Sequence, residues 1–256
     1  MAKKPNPDQL NLFDDWLVVK APVYTGPSQD NQPQEVFANP RQSLSMSLAE
    51  KLDDDGEITS RFLTEEANRI FGGTQAAGFY SSKDAYDAME AAFNIHLSRT
   101  EIADWNDKDA QWASNKAGEL TRRIQKLPTQ TRRDEEMEEF QQFSTPPSLA
   151  FVANWVANIQ PSDVMMDSSA GTGDLAIWSK IAGAEVILNE LSQRRFDLLA
   201  DLFPQAKLFR ENAEQLDNIL PSDAVPTVIV MNPPFSSTAG RVQGQRDTTN
   251  GARHIE

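Results

Sequence analysis

Residues able to bind a nucleoside follow two apolar segments in the second half of the chain. The segment that begins at Val164 runs into DSSAGTGD, in which Asp167 precedes two glycines, Gly171 and Gly173. Glycines permit a tight turn and a close approach of the backbone to a ligand. Glu190 follows the next apolar segment, near the offset of about 20 residues at which an acidic side chain binds ribose hydroxyls. Together these features favour a nucleoside site over a structural turn beside a surface glutamate.

Two further segments end in residues suited to a planar ring that carries an amino group. Asn212 could read the edge of an adenine, because an amide both donates and accepts hydrogen bonds; an ordinary polar turn residue is the alternative. In NPPF, at 232–235, the Asn232 side chain and the carbonyl of Pro233 offer two acceptors for one NH₂ group, and Phe235 suits stacking on a flat ring. Taken alone, this segment is better explained as a rigid turn with a packed phenylalanine.

The glycine loop also limits the chemistry that the chain can carry. It lacks the lysine of a phosphate-binding loop, so nucleotide hydrolysis is not indicated.

Short apolar segments alternate with helical patterns from Phe143 onward. This alternation predicts βαβ units and a parallel sheet, with strands that begin at Val164, Glu185, Lys207 and Val228. The fourth strand is expected beside the first. Ligands of such sheets bind at the carboxyl ends of the strands, which is where the polar residues described above occur.

Three regions are predicted along the chain. Residues 1–45 are rich in Pro, Asn and Gln, which is typical of a disordered or extended tail. Residues 46–142 are predicted to be helical, and 143–256 to form the α/β domain. Within the helical region, a helix over 82–97 with Ser82 as its cap has an apolar face, and a second helical pattern covers 105–127.

Composition excludes several classes of protein. The chain has no cysteine and only two histidines, so a disulfide framework and a zinc site are not expected, and a reducing cytoplasm is the expected compartment. No apolar run approaches the roughly 20 residues of a membrane span, and the N-terminus does not resemble a signal peptide. The net charge of −14 means that a nucleic acid would have to meet a local basic patch or a charge supplied by a partner.

The order of the motifs resembles one known family. The segments FSTPPSLA (143–150), DSSAGTGDLA (167–176), NE (189–190), NAEQL (212–216) and NPPF (232–235) resemble those of the γ-class DNA methyltransferases, which methylate amino groups with S-adenosylmethionine. The chain is most similar to the adenine methylase modules that are joined to a helicase in plasmid- and phage-encoded proteins. The resemblance implies a Rossmann-like class I methyltransferase sheet and methylation of adenine N6 in DNA.

The resemblance also implies roles for individual residues. Thr145 and Pro146 would line the methionine end of the cofactor, and Glu190 would bind its ribose. The amino-acid part of the cofactor would be held by Asp167, Ala170, Gly171 and Gly173. Asn212 would contact its adenine. Asn212 departs from the family, which commonly has Asp at that position. The catalytic residues would be Asn232, Pro233, Pro234 and Phe235, with the ring of Phe235 stacked on the target base.

Other functions fit parts of the pattern. Segments similar to NPPF also occur in methyltransferases that act on an RNA base or a protein glutamine, and a non-catalytic interaction module could retain the fold. The family's sheet continues with three further strands and a DNA-reading region. We therefore expect an incomplete sheet of strands 1–4, completed by a C-terminal helicase region or by a second copy of the chain.

A short segment in the tail indicates a protein partner. QLNLF, from Gln9 to Phe13, resembles the peptide with which bacterial proteins dock on the replication sliding clamp. Its setting in a tail rich in Pro and Asn suits a docking motif, although chance occurrence in a polar tail is an alternative.

Overall fold

The computed structural model describes residues 39–105, 107–128 and 144–234, and helices make up most of the described residues before 128. Their bounds are α1 (Pro40–Asp53), α2 (Ser60–Phe71), α3 (Ser82–Thr100) and α4 (Ala110–Ile124). A short 3₁₀ turn, Gln75–Ala77, lies between α2 and α3. Helix α3 packs against both α1 and α2, and α1 also packs against α2.

Helix α1 begins inside the segment that composition assigned to the tail. The side chain of Asn39 accepts a hydrogen bond from the backbone N–H of Gln42, and Pro40 occupies the first turn. Both features favour a helix start. Leu44 and Leu48 are then fully buried. The helical part therefore begins at Pro40, before the predicted end of the tail at residue 45. Residues 1–38, including the predicted docking motif, lie outside the described residues.

Helix α3 confirms the apolar face predicted for it, but its cap differs. Phe93 and Leu97 are buried on that face. The cap is Ser81 rather than Ser82, because Ser81 has an extended backbone from which its hydroxyl accepts the N–H of Asp84. The carboxylate of Asp84 in turn accepts the N–H of Ser81, which completes a capping box.

Helix α4 is shorter than the pattern over 105–127 predicted. Asp109 caps it by accepting the N–H of Trp112, so Trp105 lies in the loop before the helix. There its ring is 2% exposed and meets the rings of Phe151 and Trp178 edge-on, at centroid distances of 6.0 and 5.9 Å. Trp105 therefore anchors the helical part to the part that contains the sheet.

The predicted parallel sheet is present in the described residues. Its strands are β1 (Val164–Asp167), β2 (Glu185–Asn189), β3 (Lys207–Phe209) and β4 (Val228–Ile229). Their order is β3-β2-β1-β4, and every neighbouring pair is parallel. This is the central part of the Rossmann order. The predicted fold class, an α/β sheet of Rossmann-like order preceded by helices, is confirmed.

Helices follow or precede each strand as the alternation predicts. They are α5 (Pro147–Ala157), α6 (Ala176–Ile181), α7 (Gln193–Leu202) and the single turn α8 (Leu216–Ile219). Asn154, fully buried on α5, donates to the carbonyl of Leu175 and accepts from the hydroxyl of Ser179. These bonds fix α5 against the start and body of α6, and so set the position of the loop that follows β1.

Strand β4 lies beside β1, as predicted, and ends the sheet within the described residues. It is shorter than the apolar segment 228–231 suggested, because only Val228 and Ile229 pair with β1. Ile229 is 57% exposed. None of the described helices is long and apolar enough to cross a membrane.

Candidate functional site

The two glycines for which the sequence predicted a tight turn lie in the loop after β1, and both have a left-handed backbone. Gly171 has φ of 60° and Gly173 has φ of 95°, a region that other residues rarely adopt. A Cβ at Gly173 would lie 2.6 Å from Cε2 of Phe203, whereas a Cβ at Gly171 would meet only Nη1 of Arg195, at 3.6 Å. Gly173 is thus required by packing, while Gly171 leaves open space next to the backbone.

Buried backbone bonds define the start of this loop. Asp167, at the end of β1, is 1% exposed, and its Oδ1 accepts the N–H of Ser169 at 3.0 Å. The N–H of Ala170 donates to the carbonyl of Asn189, and the carbonyl of Ala170 accepts the N–H of Gly173. The loop is therefore closed on itself and attached to the end of β2.

Glu190 lies against the glycine loop, as the nucleoside prediction requires. Its Oε2 accepts the N–H of Gly171 at 2.9 Å, and its Oε1 accepts the N–H of Ser192 at 2.8 Å. The side chain is 7% exposed. Each carboxylate oxygen can accept a further hydrogen bond, so Glu190 can hold the loop and still accept from a ribose hydroxyl.

Asn189 organises the site although the sequence prediction gave it no role. Its Nδ2 donates to the carbonyls of Ser168 and Glu211, at 2.9 and 3.0 Å, and its Oδ1 accepts the N–H of Glu211 at 2.9 Å. The loops after β1 and β3 are thereby held side by side. The available signal was an amide placed directly at the end of an apolar strand, where a buried polar group needs partners.

Asn212 follows β3 on the same edge of the sheet, but its amide oxygen has a local partner. It accepts the N–H of Glu214 at 3.1 Å and caps the 3₁₀ turn Ala213–Gln215. Asn212 thus acts as an ordinary polar turn residue, which was the alternative given for it in the sequence analysis. The contact between Asn212 and an adenine ring stays a prediction.

Thr145 and Asn232 meet although they belong to different motifs. Nδ2 of Asn232 donates to Oγ1 of Thr145 at 3.1 Å. A second link joins the same regions, since the hydroxyl of Ser168 donates to Sδ of Met231 at 3.2 Å. The segment after β4 is thus attached to the loop after β1 and to the residues that precede α5.

The other predicted residues lie next to this contact or beyond the described part. Pro146 caps α5, and its carbonyl accepts the N–H groups of Leu149 and Ala150, each at 2.9 Å. Pro233 and Pro234 are exposed after Asn232. Phe235 lies outside the described residues.

Helix α3 contributes polar side chains that the sequence analysis missed. Asn94 donates to the carbonyl of Thr172 at 3.1 Å and to Oδ1 of Asp174 at 3.0 Å. Glu90 accepts from the hydroxyls of Thr172, at 3.2 Å, and Ser144, at 2.6 Å. A signal was present: polar residues at 83, 87, 90 and 94 fall on one face of the helix. We call this face, formed by Lys83, Asp87, Glu90 and Asn94, the polar stripe.

The site carries an excess of acidic groups. Burial, with smaller effects from neighbours that include the charge of Glu190, raises the pKa of Asp167 to about 7. Burial followed by the charge of Glu90 raises the pKa of Asp174 to about 7. The buried guanidinium of Arg195 interacts with four carboxylates, those of Asp87, Glu90, Glu190 and Asp174. Lys83 and Arg194 also pair with Asp87, so three cations face five acids, the fifth being Asp167. This surplus favours a ligand with positive charge.

No group of His, Cys, Asp and Glu side chains suited to a metal ion occurs in the part of the chain that the structure describes. The residues that could hold a cofactor are the glycine loop, the acidic side chains around it, and the polar groups near Thr145 and Asn232.

Comparisons with known proteins found solved structures that are similar to this chain. The sequence matches no protein-family model and no curated protein. It is similar to the crystal structure of a "putative RNA methyltransferase" from Pyrococcus horikoshii, with 27% identity over 48% of this chain and a TM-score of 0.37. The match spans 60% of that protein. The fold class stated above rests on the strand order of the chain itself.

Proposed function

We propose that the protein is a methyltransferase that transfers a methyl group from S-adenosylmethionine to the N6 amino group of adenine in DNA. The observation that carries this proposal is the hydrogen bond between Asn232 and Thr145. It joins the motif proposed to bind the target amine to the motif proposed to line the methionine end of the cofactor. Methyl transfer requires these two binding sites to be adjacent.

The residues around the glycine loop fit such a cofactor. At Gly171 a side chain would occupy space that is open except for Nη1 of Arg195, so the backbone can approach a ligand there. The acidic surplus suits a cofactor that carries a sulfonium and an ammonium group. Glu190 would accept from the ribose hydroxyls, and Asp167 with Ala170, Gly171 and Gly173 would hold the amino-acid part. When bound, the cofactor supplies an electrophilic methyl group.

Asn232 is proposed to prepare the target amine. An adenine amino group is a poor nucleophile, because its lone pair is delocalised into the ring. Since Nδ2 of Asn232 is bonded to Thr145, Oδ1 is left to accept from the amine, together with the carbonyl of Pro233. Two acceptors placed off the ring plane favour a tetrahedral nitrogen with an available lone pair. Positioning and preorganised dipoles accomplish this without a strong base.

The proposed DNA substrate requires the base to leave the duplex. The amino group of a paired adenine is not accessible to these residues, so the target base must be flipped out. Phe235, and the Pro233–Pro234 turn before it, would then stack on and orient the base. We keep methylation of an RNA base or a protein glutamine, and a non-catalytic role, as alternatives that the experiment below separates.

Methyl transfer from labelled S-adenosylmethionine tests the proposed function. The purified chain is incubated with adenine-containing duplex DNA, single-stranded DNA, structured RNA and a glutamine-containing protein in separate reactions. We expect label in DNA, and in N6-methyladenine after digestion to nucleosides. Label confined to RNA or protein would establish the alternative substrates, and binding of the cofactor without label in any substrate would favour the non-catalytic module.

Two partner proposals accompany the enzymatic one. We propose that Gln9–Phe13 docks on the sliding clamp, and a pull-down in which the double variant Leu12→Ala, Phe13→Ala binds the clamp as well as the wild type would refute this.

We also propose that the outer edge of β4 pairs with a further strand, from a helicase region or from a second copy of the chain. An exposed strand edge offers unpaired N–H and C=O groups. Light scattering over a concentration series distinguishes self-association from a monomer.

A further inference from the structure

Glu90 lies where the polar stripe of α3 reaches the candidate site. Its Oε2 accepts from the hydroxyl of Ser144 at 2.6 Å and from the hydroxyl of Thr172 at 3.2 Å. Ser144 precedes Thr145, and Thr172 lies between the two glycines of the loop. One carboxylate from the helical part thus contacts both segments that are proposed to bind the amino-acid end of the cofactor.

The rest of the polar stripe is satisfied within the protein, whereas Glu90 is not. Lys83 pairs with Asp87 at 2.9 Å, and Asn94 donates to Thr172 and Asp174. Glu90 makes no ion pair with another described residue, and its Oε1 accepts no hydrogen bond from any of them. It is half-buried and shares the electrostatic effect of Arg195 with three other carboxylates, so its carboxylate has no ion pair of its own and is open to a ligand.

Asp167 is less suited than Glu90 to be the only carboxylate that binds a cation beside the glycine loop. Asp167 is 1% exposed, and one of its oxygens is already bonded to the N–H of Ser169. Glu90 is more accessible and approaches from α3, on the side of the glycine loop where Thr172 lies. A cation bound between Ser144 and Thr172 would therefore meet the carboxylate of Glu90 first.

We propose that Glu90 binds the α-ammonium group of the cofactor's amino-acid part. The hydroxyl of Ser144 holds Oε2, and the hydroxyl of Thr172 is shared between Glu90 and Asp174. Oε1 accepts a charge-assisted hydrogen bond from the ammonium group. This role would explain why a helix outside the recognised motifs packs against the glycine loop. The inference rests on the proposed function, because it assumes a cofactor with an amino-acid part.

Two ligands that differ in the amino-acid part test the role of Glu90. S-adenosylhomocysteine carries the ammonium group, whereas 5′-methylthioadenosine has the same nucleoside and no amino-acid part. Calorimetry with Glu90→Gln should show affinity for S-adenosylhomocysteine reduced about tenfold or more, as expected when a charge-assisted bond becomes a neutral one. Affinity for 5′-methylthioadenosine should change less than about twofold. Glutamine keeps an acceptor for Ser144 and Thr172, so the packing of α3 is preserved.

Matched variants, each checked for folding by its melting curve, make every outcome decisive. Glu90→Asp, which keeps the charge, should retain more of the preference for S-adenosylhomocysteine than Glu90→Gln does, and Glu57→Gln, at an exposed position on the loop before α2, should retain all of it. If Glu90→Gln lowers the affinity for both ligands equally, or for neither, the proposed role of Glu90 is overturned while the proposed cofactor stands. A wild-type chain that binds neither ligand would instead overturn the proposed function.

Discussion

The amide of Asn232 donates to the hydroxyl of Thr145 over 3.1 Å, although 87 residues separate them in the sequence. Asn232 follows β4 and Thr145 precedes α5, so the contact depends on the sheet order that places β4 beside β1. It also fixes the orientation of the amide, because Nδ2 is engaged and Oδ1 is left as an acceptor. The position of a group that is proposed to act on a substrate amine is thus set by a residue of the proposed cofactor site.

Thr145→Val should reduce turnover because it removes the hydroxyl that orients Asn232. The expected loss in kcat is about 10- to 100-fold, the range that misplacement of a reacting group produces. Thr145→Ser keeps the hydroxyl and should remain within a few-fold of the wild type. Turnover is measured at saturating S-adenosylmethionine, so that a weaker cofactor complex does not contribute. Equal activity in the valine and serine variants would show that the hydrogen bond has no catalytic role.

Asn232→Ala should lower methyl transfer by about 100- to 1,000-fold, as expected when one stabilising interaction of the transition state is removed. Binding of the cofactor, measured by calorimetry, should be unchanged. Asn218→Ala is the matched control, because Asn218 is an exposed asparagine whose amide bonds only to its neighbour Asp217. Normal turnover in Asn232→Ala would reduce NPPF to a structural turn.

Glu190→Ala should weaken both the cofactor complex and the fold. The carboxylate accepts the N–H groups of Gly171 and Ser192, so its removal leaves buried donors unpaired, at a cost of about 1–3 kcal/mol. Glu190→Gln keeps one acceptor oxygen and should recover part of the stability. Calorimetry with S-adenosylmethionine and urea unfolding separate the two effects. Undiminished affinity in a folded Glu190→Ala variant would remove Glu190 from the binding site.

The two loop glycines should respond differently to alanine. Gly173→Ala brings a Cβ within 2.6 Å of the ring of Phe203, and the left-handed backbone adds about 1–2 kcal/mol, so a clear fall in melting temperature is expected. Gly171→Ala bears the backbone cost alone, since its Cβ would have an ordinary contact with Arg195. The Gly171→Ala variant should still fold, but it should bind the cofactor poorly. Tight binding by Gly171→Ala would show that no ligand approaches the backbone at that position.

Local sequence signals predicted the sheet well, because buried parallel strands appear as short apolar runs. The first strand and the pairing of β4 with β1 were both predicted correctly. The contacts of α3 with the glycine loop were not, since they depend on which helix face the tertiary fold buries. Glu90 meets Thr172 across 82 residues, and Asn94 meets Asp174 across 80. Polar residues at helical spacing suggest a solvated face until the elements packed against them are known.

Buried acids in the site should make stability depend on pH, and Asp174 provides a direct test. Its pKa is raised from 3.8 to about 7, first by burial and then by the charge of Glu90. Below pH 4 the carboxyl is protonated in the folded and the unfolded chain, so it has no effect on stability. Between pH 4 and about 7 the unfolded chain loses this proton while the folded chain retains it, so stability falls as pH rises. Above pH 7 the carboxyl is ionised in both states, and the full cost of the buried charge is present.

Asp174→Asn should therefore raise the melting temperature more at pH 8 than at pH 5. Its amide oxygen can still accept from Asn94, so the contact with α3 is kept. Each kcal/mol recovered corresponds to about 2–4 °C in a protein of this size. The variant keeps part of the pH dependence, because the pKa values of Asp167 and Asp201 are also raised, to about 7 and about 6. Asp104→Asn, at an exposed position, serves as the control. Parallel curves of melting temperature against pH for Asp174→Asn and the wild type would mean that Asp174 is ionised in the folded protein throughout this range.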